Sequence, residues 1–71
     1  MPGAQRFGVG DRVQLKTWYL GLPAQARGTV VHIFLIDNFY DVRFDVTGQR
    51  RIVHQRHLEP ADEPPNNPAG P

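Results

Sequence analysis

Phe39-Tyr40-Asp41-Val42-Arg43-Phe44-Asp45 alternates apolar and charged side chains with a period of two. That is the pattern of a strand with Tyr40, Val42 and Phe44 on a core face and Asp41, Arg43 and Asp45 on a solvated one. Downstream, Val46-Thr47-Gly48-Gln49 supplies a tight hairpin, with Gly48 suited to a positive φ, and Arg50 to His54 returns as the next strand. Upstream, Asp37-Asn38 turns the chain out of an apolar, β-branched run, Thr29 to Leu35. Further upstream, Gly10-Asp11 precedes a shorter alternating strand, Arg12 to Lys16, whose Val13 and Leu15 face one way. Thr17 to Arg27 contains Gly21 and Pro23, with Gly28 just beyond, and reads as a loop that wanders rather than turns tightly. Gln55-Arg56-His57 reads as one helical turn, and Leu58-Glu59-Pro60 as a fifth short strand.

Length limits what these strands can build. A chain of 71 residues holds one domain, and a domain of that size buries only about 60% of the surface its unfolded chain exposes. With no cysteine there is neither a disulfide nor a thiolate zinc site to staple a small core. Five short strands without a long helix are best reconciled as an all-β antiparallel barrel, since closing the sheet hides its edges. Val13, Val30, Val42, Phe44 and Leu58 are its expected shared core. Residues 1–6 are expected to fray and 61–71, ending Pro64-Pro65-Asn66-Asn67-Pro68-Ala69-Gly70-Pro71, to be a disordered, proline-rich tail.

The order and spacing of the strands from Phe7 to Pro60 resemble an SH3-like barrel. The resemblance implies that Thr17 to Arg27 is the long first loop, Ile36 to Phe39 the second and Val46 to Gln49 the distal hairpin. It also implies that the first two loops flank one surface, beside the turn before the last strand. Gly10 to Phe34 resembles the KOW element of ribosomal and transcription-factor barrels, with Gly28 as its turn glycine. A further likeness is to barrel subunits that dock ferredoxin in photosynthetic complexes. Phe7-Gly8-Val9-Gly10-Asp11-Arg12-Val13 resembles the opening of the type II dihydrofolate reductases, and Leu58-Glu59 their end. Those enzymes are homotetramers whose single pore binds folate and NADPH. Where that family has a Lys-Lys pair this chain has Leu15-Lys16, and where it has Val-Gln-Ile-Tyr this chain has Arg50-Arg51-Ile52-Val53. Only the isoleucine is kept, so the shared feature is barrel grammar rather than the ligand-orienting residues.

Chemistry-bearing groups are few. There is no serine, and a hydroxyl nucleophile could come only from Thr17, Thr29 or Thr47. His54 and His57 lie three apart without a third ligand nearby, and His32 sits mid-strand, so neither a metal nor a cofactor is expected. No charged-then-apolar leader opens the chain, and its longest apolar stretch is far short of a membrane span, so it reads as cytoplasmic.

What stands out is apolar surplus in loops. Trp18, Tyr19, Leu20 and Leu22 crowd the first, and Phe34, Leu35, Ile36 and Phe39 crowd the second. The resemblance would gather Trp18, Tyr19, Ile36, Phe39 and His57 into a patch that engages a protein partner or a second copy of the chain. Trp18 and Leu22 could instead fold back to cap the barrel. Eight cationic residues against four aspartates precede residue 58, and three acids follow it. The cluster Arg50, Arg51 and Arg56 is therefore a candidate nucleic-acid contact, or else a solvated edge on which Asp41 and Asp45 pair with the arginines. The leading expectation is a non-enzymatic binding module. A nucleic-acid-binding barrel comes second and a reductase-like oligomer third.

Overall fold

A computed structural model describes residues 6–63; the expected N-terminal fray and proline-rich tail lie largely outside them. The fold is all-β. Five antiparallel strands, β1 (Arg12–Leu15), β2 (Arg27–Phe34), β3 (Phe39–Phe44), β4 (Arg50–His54) and β5 (Leu58–Pro60), form one sheet in the order β4-β3-β2-β1-β5. A single 3-10 turn, Gln55–His57, precedes β5 and is the one helical element among the described residues. No helix there is long and apolar enough to cross a membrane.

Alternation on β3 works as its sequence requires. Tyr40, Val42 and Phe44 are buried, and with Phe7, Val13, Leu15, Leu22, Val30, Val53 and Leu58 they form a single apolar core. All five expected core residues belong to it. Fully burying each such side chain contributes about 1.5–3 kcal/mol. The Phe7 ring meets Tyr40 edge-on at 5.5 Å, and its backbone N–H donates to the Tyr40 hydroxyl at 3.2 Å.

Hydrogen-bonded closure of the barrel is not made: β4 pairs with β3 alone and β5 with β1 alone. The 3-10 turn sends the chain from one line to the other. Lys16 N–H donates to the His57 carbonyl at 2.9 Å, which seats β5 on β1. Side chains span the gap instead, with Val53 and Leu58 both in the core.

Three local features depart from the sequence reading. Gly28 is not a turn residue; it lies within β2, opposite both Val13 and Phe44. A bulge at Val31 shifts the register, so that Val30 faces Val42 while Ile33 faces Tyr40. Both thereby reach the core side, and His32 and Phe34 are turned to the outer face. The first loop does turn tightly: Leu20 and Gly21 take φ values of 55° and 79°, and Tyr19 and Leu22 exchange two backbone hydrogen bonds of 2.9 Å around them.

Past Pro60 the chain continues in order as far as Glu63. Ala61 N–H donates to the Arg12 carbonyl at 3.1 Å and Asp62 N–H to Gln14 Oε1 at 2.8 Å, covering Gln14. Arg12 lies between Asp45 and Glu63, with Nη1 to Asp45 Oδ1 at 2.9 Å and Nη2 to Glu63 Oε2 at 2.7 Å. These hydrogen bonds hold both carboxyls below their usual range and the guanidinium above its own.

Candidate functional site

The tight turn decides how the first loop divides. Closing it drives Leu22 into the core and leaves Trp18 out, 69% exposed. Of the two residues that could cap the barrel, Leu22 does so and Trp18 does not. Tyr19 is half-buried against the core, and its ring stacks on His57 at 4.1 Å and 20°. Leu20, exposed at the tip, holds a left-handed conformation that costs a non-glycine residue about 1–2 kcal/mol. Strain of this kind persists where the surrounding structure enforces it, often at functional surfaces.

Leu35 and Ile36 of the second loop are 89% and 77% exposed. Asp37 and Asn38 both have positive φ, at 65° and 60°. The Asn38 carbonyl accepts from Gln55 N–H at 2.9 Å, fastening this loop to the 3-10 turn. Phe39 meets His54 edge-on at 5.0 Å. A continuous line therefore runs from Phe39 through His54 and the 3-10 turn to His57 and Tyr19. Trp18 flanks it at one end and Ile36 at the other, as exposed side chains rather than as members of the stack. Burial, and then the charges of Arg56, His54 and Lys16, push the His57 imidazole below its ordinary 6.5, which keeps the ring against Tyr19 uncharged at neutral pH.

On the outer face Phe34, expected among the second-loop surplus, is carried in β2 and joins Phe39 and His54 of that line in a row of rings that the sequence reading did not assemble. Phe34, Phe39 and His54 are opposite one another across β2, β3 and β4, and His32 meets Phe34 at 4.7 Å. Ile52, two residues along β4 from His54, is 55% exposed. The Val31 bulge creates this row, and nothing local in the sequence marks it.

The basic cluster divides. Arg50 donates through Nε and Nη2 to Asp41 Oδ2 at 2.9 and 2.6 Å, and this carboxylate raises the guanidinium further above its usual range. Asp41, on the outer face yet only 5% exposed, is covered in the process. Asp45, the other expected partner, serves Arg12 instead. Arg51 reaches Gln49 Oε1 at 3.0 Å, and Arg56 is exposed; neither meets a carboxylate among the described residues.

Among the described residues no cavity opens and no group of three His, Cys, Asp or Glu side chains converges. What the fold presents is surface. Comparison of the chain with family models, with curated proteins and with solved structures finds no match.

Proposed function

We propose that this chain is a small SH3-like binding module that engages a protein partner through its two apolar loops. The observation that carries this reading is the exposure of Trp18, Leu35 and Ile36 beside a line of packed rings that does not need them for stability. Exposed apolar side chains on a rigid frame are what interfaces use, and aromatic anchors supply most of their energy. The rings and the hydrogen bond from Gln55 to Asn38 supply the frame, so the exposed side chains are presented in advance rather than ordered on binding.

Sedimentation of the full chain over a range of concentrations, with capture of partners from cell extract by tethered protein, tests this. Trp18→Ala and Ile36→Ser should each keep the native melting temperature within a few degrees and lose the association or the captured partner. Variants that associate as the native chain does, or that lose association only by unfolding, contradict the proposal.

A further inference from the structure

The two edges of the sheet are not equivalent. On β3–β4, Phe44 N–H donates to the Gln49 carbonyl at 3.0 Å and Gln55 N–H to the Asn38 carbonyl at 2.9 Å. The register between them puts Tyr40–Val53 and Val42–Arg51 in the same hydrogen-bonded phase. The backbone N–H and C=O groups of Arg50, Ile52 and His54 therefore point away from the sheet, and no ladder among the described residues uses them. At the other edge the phase is set by Lys16–His57 and Arg12–Ala61, which turns Leu58 and Pro60 outward. There the Leu58 N–H is spent on the Gln55 carbonyl, and Pro60 has no N–H. β5 is thus blunted and offers acceptors alone, whereas β4 turns outward the N–H groups of Arg50, Ile52 and His54 and the Ile52 carbonyl; the Arg50 carbonyl accepts from Arg51 Nη1 at 3.2 Å, and the His54 carbonyl, at the N-cap, serves the 3-10 turn.

We propose that the edge of β4 captures an extended, acidic segment of another protein, which adds to the sheet as a further strand. Charge selects the occupant. Arg51 and Arg56 face no carboxylate among the described residues, and Arg50 shares only Asp41. Arg50 on the outer face and Arg51 on the opposite one flank this edge, with Arg56 in the 3-10 turn beyond its end, while the exposed Ile52 at its centre takes an apolar residue of the incoming strand. A second copy fits poorly. Pairing β4 with β4 about a two-fold axis at Ile52 brings both sets of Arg50 and Arg51 to one seam. Pairing β4 with β5 finds no free donor. This edge adjoins the loop surface at His54 and the 3-10 turn but does not include Trp18, so the Trp18→Ala variant keeps the two proposals distinguishable.

The probe is a fluorescent heptapeptide alternating glutamate and valine, titrated against the full chain. Comparators are its lysine–valine counterpart, the acidic peptide N-methylated at every second amide in each phase, and a fluorescent oligothymidine. The acidic peptide should bind at least about tenfold more tightly than the lysine peptide. One methylated phase should lose binding, and the amides of Ile52 and His54 should exchange more slowly in the complex. Ile52→Pro, which removes a donor facing away from β3, should weaken binding by roughly fivefold or more while the chain stays folded. Trp18→Ala should leave the affinity unchanged. No binding of the acidic peptide, equal binding of the lysine peptide or of both methylated peptides, or tighter binding of oligothymidine would each overturn the proposal. If Ile52→Pro does not fold, the methylated peptides decide.

Discussion

Replacing Gly28 by alanine should be among the most damaging single-methyl changes this chain can suffer. A Cβ at that position would lie 2.6 Å from the Arg43 carbonyl oxygen and 2.7 Å from Val42 Cγ1. The nearer atom belongs to the β3 backbone, so it cannot rotate aside, and Gly28 is held from both flanks by its pairings with Val13 and Phe44. Relief requires β2 and β3 to part by several tenths of an ångström at the centre of the sheet. Overpacking of this kind costs about 1–3 kcal/mol, and more where backbone must move. For a domain of this size each kcal/mol lowers Tm by about 4–8 °C, so a fall of about 10–20 °C is expected. Gly10→Ala is the internal comparison. It meets no atom within 4 Å but has a φ of 95°, so its cost of about 1–2 kcal/mol is conformational alone. Adding Val42→Ala should not rescue Gly28→Ala, because the carbonyl contact remains. Circular-dichroism melts of the variants provide the assay. A Gly28→Ala chain melting within about 3 °C of the native one would refute the close-approach reasoning.

Acid should lower the stability of the chain in two steps. His57 binds its proton less readily folded than unfolded, so the stability it contributes is present above 6.5 and is lost as pH falls below that value towards the depressed folded one. The depressed carboxyls of Asp45 and Glu63 add a second loss below their ordinary 3.8 and 4.5. His57→Gln should abolish the upper step in a plot of Tm against pH and leave the lower one. Arg12→Ala, which frees Asp45 and Glu63 on a partly exposed surface, should cost about 1 kcal/mol at low salt and less at high salt; a salt-independent loss would argue against an ionic origin. Arg50→Ala uncovers the buried Asp41 carboxylate and should lower Tm more than Arg51→Ala, whose side chain rests on Gln49; equal shifts would contradict that asymmetry.

Sequence periodicity located most of the strand framework because that framework is a local property. The alternation on Phe39 to Asp45, the hairpin at Gly48 and the turn at Gln55–His57 each depend on a few adjacent residues. What could not be read was decided across the sheet. Gly28 looks like a turn glycine until the β3 carbonyl beside it is known. The bulge at Val31 leaves no trace in a β-branched run, yet it sends His32 and Phe34 outward and builds the aromatic row with Phe39 and His54. The turn at Leu20–Gly21 escaped because a leucine rarely adopts positive φ. Asp45 was expected beside the β4 arginines, but the register places it against Arg12. Of the candidate residues, Tyr19 packs on His57 and Phe39 meets His54 edge-on, whereas Trp18, for which the sequence left a capping role and an exposed one equally open, is exposed together with Ile36.

Trp18 is the chain's single tryptophan, so its fluorescence reports the proposed docking surface without any label. In dilute, folded protein its emission should match that of tryptophan in water and be quenched freely by acrylamide. As protein concentration is raised or a captured partner is added, the emission should move to the blue and the quenching fall, with the circular-dichroism spectrum unchanged. Emission already blue and shielded in the dilute folded monomer would place Trp18 in the core and contradict the account.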